Sequence, residues 1–447
     1  MHRPNILLMT CHDLGTRLGC YGVNSARSPH LDRLAGQGVR FVNHFATAPF
    51  CSPSRGSIVT GQYPHVNGLM GLVNLGWNWR ESNRTIATIL RKNGYETRLF
   101  GHQHEVRNDC TGQLGFEFVS PRKEHANCDT VTPRLCAFLE DRGREQSRPF
   151  YARVGFTEVH RPYHYPHDTD LRTVELPAYA ADTPGARQDF ADYDADVAGL
   201  DAAVGRILAA LDQAGLTHNT LVVFTTDHGS PFPRAKGTLY DPGIHTALMM
   251  RLPGVVPEGR HITELISNVD LLPTIAELTG SPAPSTIQGR SFLPLLSAGD
   301  YSPRSHIFAE KNTLPGDTKR AIRTERYKYI LNLEPGPELW LPTDIEGSLS
   351  RRDMGNEHLR DRPPVELYDL VADPAETQTL AGRPDLADTE TALAEILDQE
   401  RRETGDPSVA GPIPRPSGEA IQIARAKDGI AERSPFARDG LISGFDL

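Results

Sequence analysis

Cys51 stands directly before a Ser-Pro-Ser-Arg run in "FATAPFCSPSRGSIVTGQYPH", residues 45–65. The stretch reads as a loop that becomes a helix. Ser52 caps, Pro53 takes the first helical position, Ile58 and Val59 supply apolar contacts, and Gly61 closes it. Cys51 is then expected just outside a helix N-terminus. Unpaired backbone N–H groups and the helix dipole favour negative charge there, and Arg55 adds a fixed cation one turn along. Such a place binds an oxyanion or activates a nucleophile. The alternative is a small buried hydrophobe in a capped helix.

Two apolar runs end in paired ligand-type residues: "NILLMTCHD" in His12 and Asp13, and "TLVVFTTDHG" in Asp227 and His228. Brought to one sheet edge, two carboxylates and two imidazoles make a divalent-cation site. Either pair alone also fits an Asp capping a turn beside a hydrogen-bonded core histidine. Three more polar clusters follow apolar runs in the same way: "LFGHQH" (His102, His104), "GFTEVHRPYHYP" (His160, Arg161, His164) and "GSPFPRAKG" (Arg234, Lys236). Cations and imidazoles arriving from separate strands can grip an anion and donate protons.

The elements that must carry these groups alternate along the chain. Strand candidates are residues 5–10, 39–45, 96–100, 150–156, 220–226 and 246–252. Between them Val197, Leu200, Val204, Ile207, Leu208 and Leu211 recur at helical spacing before Gly215. Strands alternating with helices imply a mainly parallel sheet covered on both faces, with ligand groups beyond the carboxyl ends of its strands. A second unit is expected from residue 301, where "HIFAE" and "RAIRTERYKYILNL" read as an antiparallel sheet and "ADTETALAEILDQERRE" as a helix. The division is therefore 1–300 for the catalytic domain, 301–404 for a small C-terminal α+β subdomain and 405–447 for an irregular tail.

Composition narrows the function classes. A net charge of -10 without a long Lys/Arg block argues against nucleic acid as a partner. Many of the 17 histidines sit near expected strand ends, as ligands or acid–base groups would. The six cysteines fall in the first third with no C-x-x-C pair, so disulfides are not expected to organise the fold. "MHRPNILLMTCHD" has no signal-peptide layout and no window reaches membrane-spanning length, so the expected location is cytoplasmic.

"CSPSRGSIVTG" resembles the signature of the type I sulfatases, in which the cysteine of C-x-P-S-R is oxidised to formylglycine. The resemblance is wider than that motif. "RPNILLMTCHDLG", "SPHLDRLAGQGVRFVNHFATAPFCSPSR", "GLTHNTLVVFTTDHG", "SNVDLLPTIAELTG" and "ELYDLVADPAETQTLA" follow the family's order over about residues 3 to 400. "TLVVFTTDHGSPFPRAKGTLYDPG" and "HVNGLMGL" look most like the heparan N-sulfatase, or sulfamidase, branch.

The resemblance implies an alkaline-phosphatase-like α/β fold and hydrolysis of a sulfate ester or sulfamate on a sugar. It makes His12, Asp13, Asp227 and His228 metal ligands and Cys51 the formylglycine precursor. His104 matches the histidine of the family's G-K-x-H motif, which collapses the sulfated hydrate. His160 and Lys236 match residues that hold sulfate and help the leaving group depart, and Arg55 offsets sulfuryl charge. His102, His65, Arg161 and Arg234 are taken as substrate contacts. The implied partners are a sulfated carbohydrate and a formylglycine-generating enzyme or anaerobic maturase, with no membrane and with room for a homo-oligomer.

Three positions depart from the family pattern. The family usually has Asp at the place of His12, often Asn at the place of His228, and Lys at the place of His102. Family habit gives Ca²⁺, whereas two imidazoles shift the expectation toward Mn²⁺ or Zn²⁺. If His12 turns away, Asp13 and Asp227 hold Ca²⁺ or Mg²⁺ with water. A phosphonate monoester or phosphodiester hydrolase on the same machinery is the second reading, and a non-catalytic binder of sulfated glycans the third.

Overall fold

The chain's apolar runs become strands β1 (Asn5–Cys11), β2 (Val39–Phe41), β3 (His44–Phe45), β4 (Glu96–Gly101), β5 (Phe118–Val119), β6 (Phe150–Gly155), β7 (Thr220–Thr226), β8 (Leu248–Arg251), β9 (Arg260–Ile262) and β10 (Ile266–Ser267). These elements come from a computed structural model that describes residues 3–82, 84–120, 126–144, 148–297, 299–313 and 316–428. The large sheet has eight strands in the order β5-β4-β6-β1-β7-β8-β2-β9. Its centre, β4-β6-β1-β7, is parallel throughout, and β8 runs antiparallel to both β7 and β2. Every residue of β1 and of β7 is buried, as strands covered on both faces require.

Alternate side chains of these strands feed two cores. Ile6, Leu8, Leu221 and Val223 pack on one face, with Ile58 and Val59 from the helix Cys51–Thr60. Leu7, Met9, Val222 and Phe224 pack on the other, against Val197, Leu200, Val204 and Ile207 of the helix Pro184–Gln213. That helix is opened by Thr183, whose side chain accepts the Ala186 N–H, and by Pro184 in the first turn.

Two expectations need correction. Residues 39–45 do not form one strand. The chain bends at Val42 and Asn43, the Asn43 amide donates to the Thr263 carbonyl at 2.6 Å, and β3 leaves the large sheet to pair with β10. The helix after Phe50 begins at Cys51, two residues earlier than Pro53, with no side-chain cap at Phe50. Ser52 does not cap it; its hydroxyl accepts the Val73 N–H at 3.2 Å. All ten helix residues are buried, and Ser54 and Arg55 fix its first turns by reaching across to Asp227. Gly61 does close it, at φ 68°, where its N–H bonds the Ser57 carbonyl.

Beyond residue 300, β11 (Ile307–Lys311), β12 (Lys319–Arg323), β13 (Tyr327–Asn332) and β14 (Val365–Asp369) form an antiparallel sheet in sequence order. The helix Ala387–Glu403 sets Leu393 and Leu397 against Ile322 and Tyr329 of this sheet. The other face carries Ile307, Ala309, Ala321 and Ile330 against Phe45, Leu239, Tyr240 and Ile244 of the larger unit.

The tail is more regular than expected. It includes the helix Gly418–Asp428, which lies on the turn Val73–Leu75, and Ile413 is buried in the first core. The part of the expected irregular tail over 429–447 lies outside the described residues. Asp406, at the start of this tail, is also tied down: Arg320 donates to its two oxygens at 2.5 and 2.9 Å, all of it buried. Asp406→Ala would take away the two-pronged partner of the buried Arg320 guanidinium and leave it Glu310 at 3.6 Å and Asn312, a change expected to cost about 2–3 kcal/mol in denaturant unfolding.

Candidate active site

The four parallel central strands end at one edge, and the loops beyond them carry the chemistry. His12 and Asp13 follow β1, Asp227 and His228 follow β7, His102 and His104 follow β4, and His160 follows β6. Asp13 sits at φ 54°, a left-handed conformation that Asp tolerates better than most residues. The turn is held from outside: the Tyr193 hydroxyl shares its one proton between the Asp13 and Leu14 carbonyls, at 3.0 and 2.9 Å. The Asp13 and His228 N–H groups both donate to Asp227 Oδ1 at 2.9 Å.

Cys51 Sγ lies 3.8 Å from His12 Nδ1 and 3.4 Å from His228 Nε2. His12 Nδ1 is 2.8 Å from Asp13 Oδ1 and 3.4 Å from Asp227 Oδ2, and His228 Nε2 is 3.1 Å from Asp13 Oδ1. One ligand atom from each of these five buried residues falls within 4.8 Å of all the others. Two carboxylates converging with two imidazoles fit a divalent cation, so His12, Asp13, Asp227 and His228 are the residues that would hold it.

Fixed cations brace the acids from outside. Arg55, fully buried, donates from Nε to Asp227 Oδ2 at 2.9 Å and from Nη2 to the Cys11 carbonyl at 2.8 Å. Lys236, also fully buried, donates from Nζ to Asp13 Oδ2 at 2.7 Å and to Asp344 Oδ2 at 2.9 Å. Burial opposes ionisation of Asp13, yet Lys236 and the surrounding imidazoles hold its carboxyl well below the usual range. The same competition between burial and the imidazoles of His12 and His228 sets the Cys51 thiol well below its ordinary value.

Lys236 Nζ also approaches His160 Nε2 at 3.2 Å. A lysine only donates, so that ring nitrogen accepts, and the His160 proton sits on Nδ1 facing the Arg161 carbonyl. Burial and the neighbouring ammonium push His160 down to about 4, consistent with a neutral ring. His102 and His104 complete the wall: their ring centroids are 5.7 Å apart, His102 stands 5.1 Å from His12, and His104 hydrogen-bonds with Cys51.

Several expected site residues are engaged elsewhere. Arg161 forms a two-pronged pair with Asp189 at 2.5 and 2.8 Å. Arg234 reaches Glu338 at 3.2 Å and the Glu376 carbonyl at 2.6 Å, and His65 spends its ring nitrogens on Glu310 and Thr404 at 2.8 and 2.9 Å. Each of the three is thus anchored to protein partners at the positions given, with Arg234 Nε left without a partner. Arg55 is anchored in the same way, with Asp227 as its carboxylate partner. Trp77 and Trp79 are packed in the core.

Sequence reasoning missed Asp344, delivered by the short helix Thr343–Glu346 of the second unit. It also missed Asn268, whose amide holds the Ser54 carbonyl and hydroxyl at 3.2 and 3.0 Å. Asp344 in "LPTDIE" reads as an ordinary first-turn acid, and nothing local marks its partner 108 residues away.

A thiol at a helix start, above paired acids and imidazoles at the carboxyl edge of a mainly parallel sheet, defines a hydrolase of the alkaline-phosphatase-like class. The sulfatase family profile matches residues 4–281, and the chain belongs to that family: it is a type I sulfatase. A second profile, N-sulphoglucosamine sulphohydrolase, C-terminal, matches residues 234–344, in line with the sulfamidase branch.

Human N-sulphoglucosamine sulphohydrolase is 29% identical over 471 residues, covering 92% of each chain. A protein solved in complex with its substrate D-glucosamine-2-N,6-O-disulfate shares the fold at TM-score 0.71 and 22% identity, over 90% of this chain and 98% of that one. So does the phosphonate monoester hydrolase of Agrobacterium radiobacter, at TM-score 0.73 and 23% identity, over 92% of this chain and 100% of that one.

Proposed function

We propose that this sulfatase acts on an N- or O-sulfated amino sugar, using a formylglycine made from Cys51 and one divalent cation held by His12, Asp13, Asp227 and His228. The observation that carries the reading is the convergence of Cys51 Sγ with His12 Nδ1 and His228 Nε2 over the two carboxylates. The match to the N-sulphoglucosamine sulphohydrolase C-terminal profile and the human relative of that name support the sugar class. Conversion of Cys51 calls for a formylglycine-generating enzyme or an anaerobic maturase.

When bound, the cation offsets sulfuryl charge and lowers the pKa of a hydroxyl on the hydrated aldehyde. Arg55 holds Asp227 against the helix that carries residue 51, which fixes the nucleophile relative to the acids. His160 Nε2 and Lys236 Nζ share the proton that the departing oxygen or nitrogen takes. His104, beside residue 51, takes the proton of the second hydroxyl as sulfate leaves, and His102 places a further imidazole on the sulfuryl side.

Two side chains that share a proton should respond differently to truncation. His160→Ala is expected to lower turnover by about 10²-fold or more while costing less thermal stability than Lys236→Ala, because removing a neutral ring strands no buried charge. Lys236→Ala should lower both, since it leaves Asp13 and Asp344 facing each other without their buried cation. Turnover and melting temperature measured on the same preparations separate the two.

The substrate class is tested by comparing kcat/KM for N-sulfoglucosamine, an aryl sulfate and an aryl phosphonate. Sulfated substrates are expected to lead. Phosphonate turnover well above that of every sulfated compound would replace this reading with the phosphonate hydrolase.

A further inference from the structure

We propose that the chain whose Cys51 has not been converted binds one zinc ion through Cys51 Sγ, His12 Nδ1, His228 Nε2 and Asp13 Oδ1. This closes the coordination sphere and makes a folded, hydrolytically silent form. The inference rests on the reading of His12, Asp13, Asp227 and His228 as a cation site, and adds that the metal this site selects depends on the chemical state of residue 51.

Four of the six distances between these donor atoms lie near the spacing such an ion needs, and all six are within 4.8 Å. A tetrahedral zinc with Zn–S about 2.3 Å and Zn–N or Zn–O about 2.0 Å puts sulfur about 3.5 Å from nitrogen and nitrogen about 3.3 Å from oxygen. The sulfur-to-nitrogen distances here are 3.8 and 3.4 Å, to His12 and His228. The nitrogen-to-oxygen distances to Asp13 Oδ1 are 2.8 and 3.1 Å. Small adjustments of side chains already in contact would seat the ion.

Each of the other carboxylate oxygens already accepts from a donor, so Asp13 Oδ1 is the one most open to the ion. Asp13 Oδ2 accepts from Lys236, Asp227 Oδ2 from Arg55, and Asp227 Oδ1 from two backbone N–H groups. Asp13 Oδ1 faces only the two imidazoles among its described partners. The set is thus one sulfur, two nitrogens and one oxygen. It is a borderline-to-soft combination that favours zinc over calcium.

On binding, the thiol and the two imidazole nitrogens that face Asp13 Oδ1 give their protons to solvent, and the thiolate and two neutral rings take coordination positions. Four protein ligands leave none for substrate, which is the arrangement of structural zinc sites; catalytic sites keep one position open. Replacing the sulfur by an aldehyde removes the soft ligand and reopens that position. A chain that folds before conversion is then held in the closed form, because Cys51 is only 1% exposed.

The test uses full-length chain produced without a maturation enzyme, with unmodified Cys51 verified by peptide mass, stripped of metal and titrated with Co²⁺. One equivalent should bind with a sulfur-to-cobalt charge-transfer band in the near ultraviolet, and Zn²⁺ should displace it. Cys51→Ala and the more conservative Cys51→Ser, each checked for folding by circular dichroism, should still bind Co²⁺ but lose that band. Their Zn²⁺ affinity should fall by more than about 100-fold, beyond the loss typical of a supporting residue. Co²⁺ bound without the band, or variants holding Zn²⁺ as tightly as the parent, would overturn the proposal. If no chain binds Co²⁺ at all, the four-residue cation site falls and the proposal with it. Sulfate-ester turnover by converted protein, measured separately, shows whether the sulfatase reading survives either failure.

Discussion

Cys51→Ala, produced alongside a maturation system, is expected to lose at least about 10⁴-fold in turnover on the best sulfated substrate while keeping its fold. The size of the effect follows from what the site contains. Among the described residues around Asp13 and Asp227, Cys51 offers the atom that projects from a helix start toward His12, His228 and the acids. The imidazoles and Lys236 can move protons, but without residue 51 they have no covalent partner to serve. Alanine suits the first turn of a helix, so the loss is read in turnover and not in melting temperature. A variant that keeps more than a tenth of parental activity would mean that the reaction does not pass through residue 51.

Stripping the cation is expected to abolish turnover as completely, yet to leave the chain folded. Asp13 and Asp227 would not be left facing each other uncompensated, because Lys236 and Arg55 each donate to one of them from fully buried positions. The apo protein should therefore show a cooperative thermal transition and no activity. In the converted enzyme, reconstitution should favour Mn²⁺ or Zn²⁺ over Ca²⁺, since His12 Nδ1 and His228 Nε2 both point at Asp13 Oδ1. Recovery with Ca²⁺ alone would defeat the ligand-softness argument and move His12 out of the cation's direct ligands. His12→Asp should then leave the metal preference unchanged, where the account expects a shift toward Ca²⁺.

Much of this was legible before the structure, because the signals were local. Short apolar-rich runs such as "NILLMT", alternating with helical segments, read as strands buried on both faces, and parallel strands deliver their trailing residues to one edge. His12, Asp13, Asp227 and His228 were therefore readable as one group although β1 and β7 lie far apart in sequence. The helix Ala387–Glu403 likewise declared itself by its own periodicity.

What failed was tertiary. A Ser-Pro pair is a good local start signal, but Ser54 and Arg55 bond across the sheet edge to Asp227, and the helix begins earlier than its caps suggest. Arg161, Arg234 and His65 looked free because their acceptors, Asp189, Glu338, Glu376 and Glu310, belong to distant elements. From sequence Cys51 had no base beside it, whereas two imidazoles from other loops stand within 3.8 Å. The helix Gly418–Asp428 was hidden because its contact surface, the turn Val73–Leu75, is supplied by the other end of the chain.

The central claim is that a nucleophile made from Cys51 performs the hydrolysis, and mass spectrometry of the peptide spanning residues 45–65 tests it most directly. The measurement is made on a preparation whose turnover has been determined. The account predicts that the active fraction carries an aldehyde or its hydrate at position 51, and that turnover scales with the converted fraction across preparations. Full activity in protein whose residue 51 is entirely unmodified cysteine would contradict it.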